Sequence, residues 1–179
     1  MKLNIKYTLL FLICCTLLSC VEEQDFGQYD DLRLTPTAEA SILYIESPES
    51  FINSAGDVDI ISRDFNFDAF SSDVFAKRVL DGTITYIVEN TTSKRINVLV
   101  ELLNADGEVI DREEIETTPG MNIQKDIAYG NSGKNINIIK FTSSIRVTAR
   151  NLGDSTSTSD LPDPKIILKS SGKFRLNIK

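Results

Sequence analysis

Hydrophobic and polar residues alternate with a period of two along much of the chain. The clearest run is residues 83–89, in which Ile84, Tyr86 and Val88 share one face. Because successive side chains of a strand point to opposite faces, this pattern predicts a β-strand with one buried face. Residues 95–103 follow with apolar side chains on both faces, which is typical of a strand in the middle of a sheet.

Turn residues separate these strands and predict their connections. Residues 90–94 join the first strand to the second, and Asn104-Ala105-Asp106-Gly107 joins the second to a third over residues 108–116. An Asp-Gly pair supplies the positive φ that a tight hairpin turn needs. We therefore expect residues 83–117 to form a three-stranded antiparallel meander, which ends at the turn residues Thr118-Pro119-Gly120.

Shorter apolar or alternating stretches predict further strands. They lie at residues 42–45, 65–67, 145–150, 166–168 and 173–179. Seven or eight short strands separated by turns are the number expected of a β-sandwich. Segments 70–80 and 133–140 each fit a helical turn.

One part of this pattern resembles a known class of modules. The strand that ends in the Asn-rich turn at residues 88–92, with the strand and hairpin up to residue 107, resembles a stretch of extracytoplasmic immunoglobulin-like and fibronectin-like modules. The resemblance implies an all-β fold, an immunoglobulin-like antiparallel β-sandwich, and a role in binding or scaffolding. The fold alone assigns no function.

The N-terminus carries a separate hydrophobic signal. Lys2 and Lys6 precede an apolar run at residues 9–18. This run is too short to remain as a helix across a hydrocarbon core of about 30 Å. A basic start, a short apolar run and an abrupt change to acidic residues predict a secretion signal that is cleaved. We expect residues 1–19 to form this signal peptide.

The end of the signal resembles the lipobox of bacterial lipoproteins. The residues that carry the resemblance are Leu17-Leu18-Ser19-Cys20. It implies cleavage before Cys20, with diacylglycerol attached to the cysteine thiol and an N-acyl chain attached to the new amine. Each buried methylene contributes about 0.8 kcal/mol, so several acyl chains on Cys20 act as a lasting membrane anchor.

The residues after the cysteine resemble a further signal. Glu22, Glu23 and Asp25 are similar to the acidic export signal of Bacteroidota lipoproteins, and the chain as a whole resembles the small lipoproteins of that group. The resemblance implies an outer-membrane protein exposed on the cell surface. An outer-membrane lipoprotein that faces the periplasm is the alternative.

The processed chain has room for one domain. Removal of residues 1–19 from the 179 leaves 160, and residues 20–37 are polar and acidic, without a periodic apolar face. We expect residues 20–37 to be a tether behind the lipidated cysteine and residues 38–179 to be the β-sandwich domain. Cleavage also removes Cys14 and Cys15, so the processed chain cannot form an internal disulfide.

Charge and composition exclude several functions. Loss of Lys2 and Lys6 changes the formal net charge from −7 to −9, which makes nucleic acid a poor partner. The chain has no histidine and, after processing, no free thiol, which excludes Ser-His and Cys-His catalysis and zinc sites ligated by those residues. A hydrolase that uses two of the 26 acidic residues remains an alternative.

One group of residues suits a metal ion. Asp64, Asn66 and Asp68 occupy every second position, and Asp57 and Asp59 precede them. Three oxygen-bearing side chains on one face are suited to Ca²⁺, which binds oxygen ligands. The alternative is an exposed strand face whose intervening phenylalanines pack in the core.

Two other residues are candidates for glycan chemistry. Asp154-Ser155-Thr156 resembles the Bacteroidota O-glycosylation pattern and lies in a polar stretch, which predicts modification of Ser155. The chain lacks Trp, and Tyr129 lies in a glycine-rich stretch, where its ring would be presented to a sugar ligand. Packing of the Tyr129 ring within its loop is the alternative.

Together these patterns predict a non-catalytic, lipid-anchored protein of the cell envelope. We expect it to act as a binding or accessory subunit of an outer-membrane assembly, with an envelope protein as its partner and with no cofactor beyond the lipid on Cys20. The alternatives are a surface lipoprotein that binds carbohydrate with the assistance of Ca²⁺, and a carboxylate-based hydrolase.

Overall fold

The computed structural model describes Gly27 and residues 33–55, 59–131 and 133–178. Cys20, Glu22, Glu23 and Asp25 lie outside the described residues. The compact unit that contains the sandwich begins at Arg33. No helix in the described part of the chain has the length and apolar character needed to span a bilayer.

The described residues form eight strands and several short helices. The strands are β1 (Thr37–Pro48), β2 (Asp59–Asn66), β3 (Val79–Asn90), β4 (Ile96–Leu103), β5 (Val109–Thr117), β6 (Asn122–Tyr129), β7 (Ser144–Asn151) and β8 (Lys165–Leu176). The helices are α1 (Glu49–Ala55), α2 (Asp68–Ser71), α3 (Asp73–Ala76) and α4 (Ile136–Phe141). The helical turns expected within segments 70–80 and 133–140 are confirmed by α2, α3 and α4.

The strands form two four-stranded antiparallel sheets. One has the order β1-β8-β3-β6 and the other the order β2-β7-β4-β5. The alternation seen in the sequence predicts their inner faces correctly, since Ile84, Tyr86 and Val88 of β3 are all buried. Burial of each such side chain contributes about 1.5 to 3 kcal/mol. The predicted all-β antiparallel sandwich is confirmed.

The strand pairing is nested, which defines the topology. β1 pairs with β8, β2 with β7, β3 with β6 and β4 with β5, and successive pairs alternate between the two sheets. One long hairpin rolled into two sheets is the eight-stranded jelly roll. An immunoglobulin sandwich instead groups its strands as A-B-E-D and C-F-G. The strand order therefore corrects the immunoglobulin-like part of the prediction.

The predicted three-stranded meander is correct only in part. The β4–β5 hairpin forms around Asp106-Gly107, with Gly107 at φ 80°. β3 and β4, however, belong to different sheets. The buried Asn90 side chain shapes this crossing, because its amide donates to the Lys94 carbonyl at 2.8 Å and accepts from the Thr92 backbone N–H at 3.0 Å. Side-chain hydrogen bonds thus take the place of strand pairing.

The nested hairpin separates the connections into two ends. One end, which we name the network end for the hydrogen bonds around Glu49, holds the β1–β2, β3–β4, β5–β6 and β7–β8 connections. The terminal end holds the β2–β3, β4–β5 and β6–β7 connections. The described chain also begins and finishes at the terminal end, where Leu34 and Ile178 exchange backbone hydrogen bonds of 3.2 and 2.9 Å.

Candidate functional site

The outer face of the β1-β8-β3-β6 sheet carries a groove of about 380 Å³. Strand register explains its shape. Tyr44, Lys169 and Ile87 form one row across the sheet, and Ser171 and Thr85 are paired in a neighbouring row. The short Ser171 side chain on a central strand leaves a depression beside the longer side chains of the first row.

Polar contacts fix the side chains that border this groove. The Tyr44 side chain, in a residue that is 58% exposed, donates its hydroxyl to Glu46 at 2.9 Å. The Lys169 ammonium donates to Glu89 at 2.6 Å. These hydrogen bonds raise the pKa of the Tyr44 phenol and the pKa of Lys169, so the groove presents a neutral phenol and an ammonium group at neutral pH.

The groove combines an aromatic surface with polar groups. An exposed aromatic ring offers a stacking surface, and the adjacent ammonium and hydroxyl groups offer hydrogen bonds. The Thr85 hydroxyl already donates to Asp126 at 2.6 Å, which lowers the pKa of that carboxyl group. Thr85 is therefore oriented before any ligand arrives, and its oxygen remains available as an acceptor.

The network end contains a buried carboxylate, Glu49, at the start of α1. It is 1% exposed and accepts hydrogen bonds from the Ser93 backbone N–H at 2.9 Å, from the Ser93 hydroxyl and from the Ser157 hydroxyl at 2.8 Å. Burial raises the pKa of Glu49, but the hydrogen bonds outweigh it and the pKa is lowered. Glu49 thus joins three of the four connections at this end.

The same network orients the loop that contains Ser155. Lys94 is buried, and its ammonium donates to Asp154 at 2.7 Å and to the Thr156 carbonyl. The hydrogen bond from Lys94 lowers the pKa of Asp154 to about 2. Ser155 itself is exposed between these two residues, as its expected modification requires. Its glycosylation stays a prediction.

Tyr129 does not present its ring to solvent. It is the last residue of β6, it is 1% exposed, and its hydroxyl donates to Asp111 at 2.8 Å. Gly130 follows at φ 97°, so the turn begins one residue later than the glycine-rich sequence suggests. The expected role of Tyr129 in stacking a sugar is therefore wrong, and Tyr44 is the exposed ring of this sheet.

Asp111 and Glu113 are two acidic side chains that share a lysine, and they bear on the hydrolase alternative, which needs a pair of acids. Both carboxylates are largely buried, and the Lys134 ammonium contacts them at 2.6 and 2.5 Å. Lys125 also contacts Glu113, at 2.6 Å. Burial raises the pKa of Glu113, but the two lysines outweigh it and the pKa is lowered. A paired-carboxylate hydrolase needs one acid that keeps its proton, whereas these lysines favour the ionised form of Glu113.

One of the expected calcium ligands is held by an ion pair in the described structure. Asp64 of β2 binds Arg146 through two hydrogen bonds of 2.7 and 2.8 Å, which lower the pKa of the carboxyl group. Asn66 ends β2 and Asp68 begins α2. Within the described ranges, no group of three or more acidic, histidine or cysteine side chains is placed to hold a metal. Asp57 lies outside those ranges.

The phenylalanines between these residues follow the alternative interpretation. Phe65 and Phe67 are partly buried and pack against the core. The sequence did not reveal Glu49 or Lys134 as partners in charged networks, because their contacts join segments far apart in the chain. Glu49 is 44 residues from Ser93, and Lys134 is 23 from Asp111.

A comparison with protein-family models gave no match, and a search of curated proteins gave none either. Among solved structures, the chain is similar to a protein of the Bacillus endospore appendages, disulfide-linked pili, with 8% identity and a TM-score of 0.39 over 80% of this chain and 91% of that one. It is similar to a chain of Israel acute paralysis virus with 8% identity and a TM-score of 0.42 over 77% and 72%.

A third similarity is to VP2 of infectious bursal disease virus, with 12% identity and a TM-score of 0.34 over 83% of this chain. The chain spans 33% of the length of that VP2 chain. Likenesses this weak carry no argument about function. The assignment of a jelly roll rests on the strand order of the chain itself.

Proposed function

We propose that the protein is a lipid-anchored binding subunit of the cell envelope, without catalytic activity of its own. Cys20 carries the lipid, the acidic residues behind it act as a tether, and the sandwich binds an envelope protein through the outer face of the β1-β8-β3-β6 sheet. The observation that carries this proposal is the groove beside the exposed Tyr44 ring. A surface lipoprotein of the outer membrane is the proposed location, and a periplasm-facing one the alternative.

The rigidity of the sheet supports binding through this face. Tyr44, Lys169 and Ile87 are held in one row by backbone pairing on both sides of β8. Side chains fixed before binding lose little conformational entropy when a partner arrives. Tyrosine is also a frequent energetic centre of protein interfaces, because it contributes a large contact area together with one hydroxyl.

Site-specific photocrosslinking in the native membrane tests the binding face. A photoreactive phenylalanine analogue replaces Tyr44, and in a matched control it replaces Phe51, which is 51% exposed on α1. We expect one discrete protein adduct from position 44 and none of the same mass from position 51. Identical adduct patterns at both positions, or no adduct at position 44, would contradict the proposed face.

The anchor has an independent test. Cys20→Ser should abolish incorporation of a labelled fatty acid and leave the signal peptide uncleaved, and labelled mutant protein would refute lipidation at Cys20. Replacing Glu22, Glu23 and Asp25 together by alanine should protect the domain from protease added outside intact cells. Unchanged digestion would mean that these acidic residues belong only to the tether.

Carbohydrate binding is the second candidate function, and the exposed Tyr44 ring is the observation that favours it. A glycan array should then show binding by the wild-type protein and by Phe51→Ala, and loss of that binding in Tyr44→Ala. Ca²⁺ should not alter the result, because Arg146 holds Asp64. An array without any bound glycan would exclude this function and leave the protein partner.

A further inference from the structure

A second cavity opens at the terminal end and differs in chemistry from the groove. Its volume is about 180 Å³, and carbon atoms make up almost all of its lining. Four phenylalanine rings form much of the wall. Phe67, Phe70 and Phe75 belong to the β2–β3 connection, and Phe174 belongs to β8. β1 contributes the remaining side through small side chains such as Ala40.

Missing side-chain volume in one cross-strand row produces this cavity. Ala40 pairs with Gly172, and Gly172 pairs in turn with Ile84 of β3. Two of these three positions therefore offer at most a methyl group. The ring of Phe174 leans across the gap, since a Cβ atom on Gly172 would lie only 2.5 Å from its Cε2 atom and a Cβ on Gly82 would lie closer still to its Cδ1 atom.

The aromatic wall is fixed by ring contacts. Phe70 lies with its ring centroid 4.5 Å from that of Phe67 and 5.1 Å from that of Phe174, both edge to face. Phe75 contacts Phe70 and Phe174, each at 5.3 Å. These are favourable aromatic geometries, so the wall is formed without a ligand. An apolar cavity of about 150 Å³ is large enough to take up benzene.

The surface beside the cavity combines exposed apolar side chains with two basic residues, the exposed Arg78 and the half-buried Lys140. α3, which carries Phe75, also carries Val74 with 67% exposure, and Arg78 follows the helix. α4 packs against α3 and ends in Lys140 and in Phe141 with 63% exposure. In the described part of the chain, no acidic side chain forms an ion pair with Arg78 or Lys140. Basic and apolar side chains together are typical of surfaces that contact lipid.

We propose that this cavity takes up the end of a hydrocarbon chain of an anionic membrane lipid. The lipid head group then lies near Arg78 and Lys140, and Val74 and Phe141 contact the apolar part of the bilayer. The proposal rests on the proposed membrane attachment, which keeps acyl chains within reach of the domain. Its chemistry follows from the lining, in which Glu39 is charged but almost all of the surface is carbon.

Photolabelling of the lipoprotein in nanodiscs tests the proposal. The nanodiscs contain phosphatidylglycerol with a diazirine at the end of one acyl chain. After irradiation and trypsin digestion, we expect the label on the peptide Asp64–Lys77, which contains three of the four phenylalanines. Ala40→Phe should fill the cavity and reduce labelling of this peptide by about tenfold or more.

Ala105→Phe is the matched control, because it adds the same ring at an exposed position in the β4–β5 turn. It should leave labelling unchanged. Ala40→Leu serves as a milder filling variant, and thermal unfolding of each variant reports whether it has folded. Absence of label from this peptide in the wild type would overturn the proposal. So would folded Ala40→Phe and Ala40→Leu variants that are labelled as strongly as the wild type. Either result would favour an apolar side chain of a protein partner as the occupant.

The experiment separates this failure from failure of the anchor. A protein that lacks lipid on Cys20 will not remain with the nanodiscs during purification, which contradicts the proposed attachment before any irradiation. A protein that remains attached but is not labelled on the peptide contradicts only the lipid-binding cavity. Labelling elsewhere at similar yield in all variants would show contact with the bilayer without uptake of a chain.

Discussion

Glu49 offers the sharpest test of how the network end is held together. The change Glu49→Gln keeps the size of the side chain and removes its charge. An amide can still accept from the Ser93 N–H through its oxygen, and its NH₂ group can donate to the hydroxyls of Ser93 and Ser157. The substitution therefore isolates the effect of charge on three hydrogen bonds that the structure shows.

The expected loss follows from the strength of these bonds. Hydrogen bonds to a charged group contribute about 1.5 to 3 kcal/mol each, against about 0.5 to 1.5 kcal/mol for neutral ones. The substitution also removes the cost of burying a charge, which offsets part of this difference in hydrogen-bond strength. We expect Glu49→Gln to lower the free energy of unfolding by about 1 to 2 kcal/mol at pH 7. Glu49→Ala should lose about 3 kcal/mol or more, because it leaves the Ser93 N–H without an acceptor.

Urea unfolding over a range of pH provides the assay, with Glu39→Gln as an exposed control. Because the pKa of Glu49 is lower in the folded than in the unfolded chain, its charge stabilises the fold fully above the unfolded pKa of about 4.3. This contribution disappears as the pH falls through the folded pKa. The stability difference between wild type and Glu49→Gln should therefore shrink as the pH is lowered through the range below about 4.3.

Two results would refute this reasoning. A difference that stays constant between pH 7 and strongly acidic pH would mean that the lost stability reflects altered geometry and not charge. A Glu49→Gln variant as stable as Glu39→Gln at pH 7 would mean that the buried hydrogen bonds give the carboxylate no net advantage over an amide.

Three further predictions concern the core, the charged cluster and the metal hypothesis. Gly82→Ala should destabilise the fold by about 1 to 3 kcal/mol in urea unfolding, because the new methyl group meets the ring of Phe174 and adjacent backbone; unchanged stability would show that this packing is loose. Tyr129→Phe should cost about 1 to 3 kcal/mol by the same assay, since it removes the hydrogen bond to the Asp111 carboxylate, and a neutral effect would show that the bond adds nothing. Millimolar Ca²⁺ should leave the thermal unfolding midpoint unchanged because Asp64 is already paired, whereas a rise with concentration would indicate a site.

Local alternation made the strands of this chain predictable. The expected strands at residues 95–103 and 108–116 coincide closely with β4 and β5, and the expected strand at residues 83–89 lies within the longer β3. The apolar pattern on both faces of residues 95–103 also agrees with the position of β4 between β7 and β5. These properties depend on side chains two residues apart, so the sequence contains them directly.

Strand pairing is harder to predict from the sequence because it depends on contacts across long stretches of chain. The turn after β4 carries Asp-Gly, which specifies a hairpin by itself. The connection after β3 looks equally polar, yet β3 pairs with β8, and Glu89 there lies opposite Ile167. No pattern in residues 90–94 predicts that β4 joins the other sheet. The buried side-chain contacts of Asn90 can be identified only from the structure.

The choice between Tyr44 and Tyr129 shows the same limit at the level of single residues. Four consecutive apolar residues, Ile42 to Ile45, predict a strand but leave open which face is buried. A β-bulge between Ser41 and Leu43 shifts the register and helps to leave Tyr44 on the outer face. The glycines that follow Tyr129 favour a loop at this position, whereas β6 extends to Tyr129 itself.

The two ends of the domain differ in how tightly they are packed, and this difference bears on the proposed lipid site. Buried hydrogen bonds connect the loops of the network end, while Ala40 and Gly172 leave an open cavity at the terminal end. Interiors of proteins are normally close-packed, and filling a cavity commonly stabilises a fold by about 0.5 to 2 kcal/mol. Ala40→Leu should therefore raise the free energy of unfolding while it reduces labelling by the acyl chain. A folded leucine variant that is labelled as strongly as the wild type would contradict the proposed lipid site, whatever its effect on stability.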